Sequence, residues 1–142
     1  MITYQWHTYE NFQDVRMIRT QVFHQEQGFS LENEFDETDR TALHLVAYLD
    51  GAPVGTGRIF SGDGLLWHIG RVAVLKSHRG LHLGAGMMAE MERRIRELGG
   101  TSIVLSAQCQ ARGFYETQGF VAQGDSYLDE HCPHIDMIKL FS

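Results

Sequence analysis

Residues 72–86 read Val-Ala-Val-Leu-Lys-Ser-His-Arg-Gly-Leu-His-Leu-Gly-Ala-Gly, and no other segment constrains the chain as tightly. An apolar strand-like run enters a turn that holds Gly80 and Gly84. A helix predicted over 84–98 then follows, with Met87, Met91, Ile95 and Leu98 on one face and Gly99-Gly100 as its stop. The free N–H groups of a helix start, together with its dipole, form an anion site. Glycine lets a bulky pyrophosphate approach the backbone, and Arg79 adds charge at the rim. No Gly-Lys-Ser/Thr follows, so this is not a Walker loop. Gly84 and Gly86 do not begin a Gly-x-Gly-x-x-Gly dinucleotide fingerprint either.

The rest of the chain supplies strands and helices around this turn. Residues 2–7 suit a strand. Residues 11–27 suit a helix capped by Asn11, with Val15, Ile18, Val22 and Phe23 on a shared face and Gly28 as its stop. The acidic stretch Glu32, Glu34, Asp36, Glu37 and Asp39 reads either as a solvated loop or as a field that gathers cations. Leu43–Leu49 and Val54–Phe60 flank Asp50-Gly51 as a hairpin, and His68–Leu75 is a third strand. Thr101–Ala107 is a buried strand, 109–118 a short helix ended by Gly119, and Ile135–Phe141 the last strand. One more strand is possible near 120–127. The order β-α-β-β-β-α-β-α-β is mixed α/β, with one domain expected over residues 1–142.

Composition excludes several classes. The net charge of −6 offers no basic face to nucleic acid. No apolar run approaches the roughly 20 residues that cross a bilayer, and the N-terminus shows no signal-peptide pattern. Cys109 and Cys132 make neither a disulfide framework nor a Cys-x-x-Cys pair, which fits a reducing compartment and a cytoplasmic location. His78 and His82 lie four apart, and His131, Cys132 and His134 cluster, but neither set has a recognised metal spacing. No metal is expected.

The spacing Arg79-x-x-His82-x-Gly84 after an apolar strand resembles motif A of the GNAT acetyltransferase superfamily, Arg/Gln-x-x-Gly-x-Gly/Ala. Gln108, followed by Phe114-Tyr115-Glu116-Thr117-Gln118-Gly119-Phe120, resembles the strand-helix segment of the same family. Arg19-x-x-Val22-Phe23-x-x-Glu26-Gln27, Asp36, Asp39, His44, Arg58-Ile59, Ile69-Gly70-Arg71-Val72 and Pro133-His134 look like the ElaA-like and YjcF-like branch. The Pro-His segment is also similar to that of glyphosate-type N-acetyltransferases.

The resemblance implies a central, mixed, twisted sheet flanked by helices, with acetyl-coenzyme A as co-substrate and an amine, of a small molecule, as acceptor. A protein acetyltransferase or a non-catalytic coenzyme A-binding regulator is the alternative. The backbone of Val72, Ala73 and Val74 would pair with the pantetheine arm. Arg79, Gly80, Leu81, His82, Leu83, Gly84 and Ala85 would hold the pyrophosphate, and Gln108 and Phe114 would touch the cofactor. Tyr115 resembles the family's general acid and His134 a general base, with Glu26 as the reserve base. Arg19, Arg58, Arg71 and Glu26 are the acceptor-binding candidates. His82 stands where the motif has Gly, and its Cβ disfavours a positive φ there. Small GNAT proteins often pair through their C-terminal strands, so a homodimer is a further expectation.

Overall fold

A computed structural model describes residues 1–141. The strands are β1 (Ile2–His7), β2 (Leu43–Leu49), β3 (Ala52–Ser61), β4 (Leu66–Val74), β5 (Ser102–Gln108), β6 (Val121–Asp129) and β7 (Cys132–Leu140). The helices are α1 (Gln13–Arg19), α2 (Leu31–Glu34), α3 (Leu83–Glu97) and α4 (Arg112–Thr117). Helix α1 runs on as a π-helical stretch, Thr20–Glu26, of a kind that is frequent at functional sites. The seven strands form one sheet in the order β1-β2-β3-β4-β5-β7-β6. Only β4 and β5 pair in parallel. This is the mixed α/β architecture, a single mixed sheet flanked by helices, that the resemblance implies. Among the described residues no helix is long and apolar enough to cross a membrane.

Local rules account for much of it. Asp50 and Gly51 take φ of 50° and 87°, the left-handed pair that a two-residue hairpin needs. Met87, Met91 and Ile95 are fully buried on the α3 face of the sheet. On the opposite face Val15, Ile18, Val22 and Phe23 pack against Val46, Tyr48 and Ala73. Leu98 departs from expectation: α3 ends one residue earlier, and Leu98 turns outward at 39% exposure. Asn11 does not cap α1 either. It shares a capping box with Thr8 around a short turn at Tyr9–Asn11, and α1 starts after the buried Phe12. The segment near 120–127 is a strand, β6, which forms one edge of the sheet.

What positions the site is a break between β4 and β5. Their pairing covers only Leu66–His68 against Ser102–Val104, although β4 continues to Val74 and β5 to Gln108. The cause lies in β4. Thr56 pairs with Ala73 but Arg58 with Gly70, so Arg71 and Val72 together oppose Gly57, and Arg71 takes φ of 52°. The extra residue bends β4 away from β5. Strand β7 meanwhile follows β5 over its whole length, from Ser102↔Leu140 to Gln108↔His134. The sheet therefore opens as a V, with unpaired backbone along the inner edge of β4.

Candidate active site

The V is the mouth of a cleft of about 810 Å³. One side is built by the turn after β4 and by helices α3 and α4. Gly80 has φ of +87°, open to glycine and strained for other residues. His82 takes the αL conformation as the residue before α3, with φ of 58°, so the histidine occupies the geometry that motif glycine would accept without strain. Its side chain is exposed. Leu83 anchors the helix start at 2% exposure, whereas Leu81 is 51% exposed and forms no part of the cleft wall. A Cβ on Gly84 would lie 3.1 Å from Phe114 Cζ, so this glycine also lets α3 approach α4. Val72, Ala73, Val74, Arg79, Gly80, His82, Leu83, Gly84, Ala85, Gln108, Phe114 and Tyr115 all line the cleft.

Arg79 is committed within the protein. Its Nη1 and Nη2 donate to Glu26 at 2.5 and 2.7 Å, and its Nε and Nη2 donate to the Val74 carbonyl at 3.1 and 2.9 Å. The Arg79 hydrogen bonds hold the Glu26 carboxyl below its ordinary value, which weakens it as a base in this arrangement. The next residue, Gln27, accepts from Gln108 Nε2 at 2.8 Å. The end of the π-helical stretch thus touches both arms of the V.

Tyr115 lies edge-on to Phe114 and Phe120, with ring centroids 5.1 and 6.2 Å away. Burial pushes its phenol up to about 12, so the hydroxyl is protonated at neutral pH. His134 is 7% exposed, and its Nδ1 lies 2.9 Å from the Cys132 carbonyl oxygen. A carbonyl only accepts, so Nδ1 carries a proton, and in the neutral ring Nε2 holds the lone pair. His134 also lines the cleft.

Of the acceptor-binding candidates, Arg58 and Arg71 line the cleft, and all three arginines are engaged in ion pairs. Arg19 is fully buried and lies outside the cleft wall. It donates through Nε to Glu34 at 2.8 Å and through Nη1 to Asp39 at 2.7 Å. Arg58 reaches Asp36 at 2.7 Å and Asp39 at 2.9 Å, and Arg71 reaches Glu34 at 3.0 Å. Three guanidinium groups therefore meet three carboxylates. Burial alone would raise the Asp39 carboxyl, but the Arg19 hydrogen bonds and the Arg19 and Arg58 charges hold it below its usual value. The acidic stretch divides, with Glu32, Asp36 and Glu37 exposed and the other two buried. Glu34 sits in α2, and Asp39 in the helical turn Glu37–Arg40, as buried partners of arginine.

Several wall residues were not among the site candidates. Ser106 and Asp136 line the cleft with Phe29, Phe60, His68, Asp129 and Glu130. Tyr127 joins two of them, hydrogen-bonding Ser106 and donating to Asp136 at 2.6 Å. The signal was period two. Polar Ser106 and Gln108 alternate with buried Leu105 and Ala107, and His134 and Asp136 alternate with buried Ile135 and Met137. His131 lies tilted against Phe29, with ring centroids 4.9 Å apart, and among the described residues no group of His, Cys, Asp or Glu is arranged to hold a metal.

The sequence matches the family description "Acetyltransferase (GNAT) domain" over residues 7–141. It is 36% identical over 131 residues to the uncharacterized N-acetyltransferase YjcF of Bacillus subtilis (strain 168), covering 92% of this chain and 93% of that one. The fold superposes on Escherichia coli ElaA with a TM-score of 0.86 at 25% identity, over 98% of this chain and 99% of that one. An aminoglycoside 6'-N-acetyltransferase complexed with coenzyme A shares the fold, with a TM-score of 0.78 at 14% identity over 97% and 96% of the two chains. With a diverging β4–β5 pair, a glycine turn leading into α3 and matches spanning almost its full length, the chain belongs to the GNAT family and is an acetyltransferase of that type.

Proposed function

We propose that the protein moves the acetyl group of acetyl-coenzyme A to a primary amine of a small molecule by direct attack. The observation that carries this is the cleft itself, whose walls include the unpaired edge of β4, the Gly80–Ala85 turn, Tyr115 and His134. An amide-bearing pantetheine arm suits a free strand edge, as an added strand does. The pyrophosphate suits the start of α3, where Gly80 offers no side chain to block it.

The chemistry assigns roles to the two side chains. An ammonium cannot attack a thioester. For an acceptor with a pKa of about 10.4, only about one molecule in 2,500 is neutral at pH 7. His134 Nε2 takes the proton as the amine attacks the acetyl carbon. A backbone N–H of β4 stabilises the oxygen that gains charge, and the Tyr115 hydroxyl donates to the departing sulfur. Among Glu26 and His134, the free lone pair favours His134 as base.

The test is thiol release from acetyl-coenzyme A across amines, amino acids and peptides. Release with small amines supports the reading, release only with peptides moves the acceptor to protein, and cofactor binding without any release removes the enzyme. With a working acceptor, His134→Ala should lower kcat/KM most at low pH, and raising the pH should recover part of the loss. A loss independent of pH would make His134 a binding or packing residue.

A further inference from the structure

We infer that the acceptor carries a second positive charge, which Asp129, Glu130 and Asp136 on the β6–β7 hairpin recognise; this rests on the transfer reaction proposed above. The acceptor half of the cleft contains two arginines, Arg58 and Arg71. Both are spent. Together with Arg19 they face Glu34, Asp36 and Asp39, three charges against three. Arg58 Nε is buried without a partner, and the guanidinium lies over the Phe60 ring at 5.4 Å. The charge these arginines offer an acceptor carboxylate is already balanced by Glu34, Asp36 and Asp39.

The hairpin is the opposite case. Asp129, Glu130 and Asp136 line the same cleft, and the hydrogen bonds they accept, from the Ser30 N–H to Glu130 at 3.2 Å and from Tyr127 to Asp136, leave their charges unpaired. Carboxylates alone would mark only a solvated edge. Here His134, 7% exposed and with Nε2 unpartnered, points to the ligand independently, because it lies on the same strand face as Asp136. In the register Asp129 stands opposite Cys132, two residues along β7 from His134, and Asp136 lies two residues the other way. At about 3.3 Å per residue each is roughly 7 Å along the strand from the base. An amine attacking from His134 would therefore place a second ammonium, one short aliphatic span away, against a carboxylate. Phe29, 6.4 Å from the His134 ring, offers apolar surface for the stem between them. The acceptor class is a short aliphatic diamine or a longer polyamine.

The experiment separates this from the transfer reaction by reading binding first. Protein saturated with coenzyme A is titrated calorimetrically with 1,5-diaminopentane, pentylamine and 5-aminopentanoate, which share a length and differ in terminal charge. Two solvent-exposed ion pairs predict on the order of tenfold tighter binding of the diamine. That preference should shrink in Asp129→Asn/Glu130→Gln and with added salt. Equal affinities for the three, tighter binding of 5-aminopentanoate, or a preference unchanged in the double variant would overturn the inference. Thiol release with the same three compounds reads the transferase reaction separately: a diamine that binds selectively but is never acetylated sinks the reaction and leaves the charge recognition standing.

Discussion

Replacing Tyr115 with Phe removes one hydroxyl and leaves the ring to pack on Phe114 and Phe120. The phenol is pushed up to about 12, whereas a model thiol titrates near 8.5. Complete proton transfer to a free thiolate is thus uphill by about three to four units, or ~5 kcal/mol. The favourable action is a hydrogen bond that strengthens as negative charge develops on sulfur. Hydrogen bonds to charged groups contribute about 1.5–3 kcal/mol, which corresponds to a 10- to 150-fold loss of kcat in Tyr115→Phe. Affinity for acetyl-coenzyme A should stay within a few-fold, because the bound thioester carries no such charge. Steady-state thiol release with a working amine measures the first, calorimetry the second. An unchanged kcat would reduce Tyr115 to packing. A loss well beyond 1,000-fold would refute the hydrogen-bond accounting and require full proton transfer.

His82→Gly should stabilise the protein: relief of αL strain, roughly 1–2 kcal/mol, outweighs the added freedom of the unfolded chain, about 0.4–1 kcal/mol. A thermal melt should rise by about 2–4 °C, and a fall would show that the exposed imidazole makes a contact worth more than the strain. Arg19→Ala strands Glu34 and Asp39 and should cost about 3–5 kcal/mol in urea unfolding; a variant of native stability that had lost acceptor binding would restore Arg19 to the site. Burial holds His44 below its ordinary 6.5, against the pull of the Asp39 carbonyl and charge. The folded state therefore binds fewer protons than the unfolded chain, and the stability His44 contributes is complete above about 6.5 and lost as pH falls below it. His44→Gln should flatten that part of the melting-temperature profile, and an identical slope in the variant would assign the dependence elsewhere. Asp36 and Asp39, held below their usual 3.8, add a later loss in more acid solution.

Features set by a few neighbouring residues were legible in the sequence. The Asp50-Gly51 hairpin, the Met87–Met91–Ile95 face and the glycine turn at 80–84 all follow from spacing and backbone freedom. The ion-pair cluster was not. Arg19, Arg58 and Arg71 meet carboxylates that lie 15 to 37 residues away in the chain, and nothing in a one-dimensional charge pattern says which arginine folds inward. The acidic stretch for the same reason read as a solvated or cation-gathering segment. The bulge at Arg71–Val72 was equally hidden, because its cause is the register against Gly57 on another strand. His82 is an instructive intermediate. Its departure from the motif was plain in the sequence, but whether the backbone would follow the motif or the side chain needed coordinates, and the backbone follows the motif.

The account rests on coenzyme A occupying the V between β4 and β5, and amide hydrogen exchange tests this without any acceptor. Saturating acetyl-coenzyme A should slow exchange at amides of β4 between Ile69 and Val74 that lack strand partners, and at the start of α3 around Leu83–Ala85. Tight cofactor binding with no added protection in either segment, or with protection confined to another surface, would contradict it.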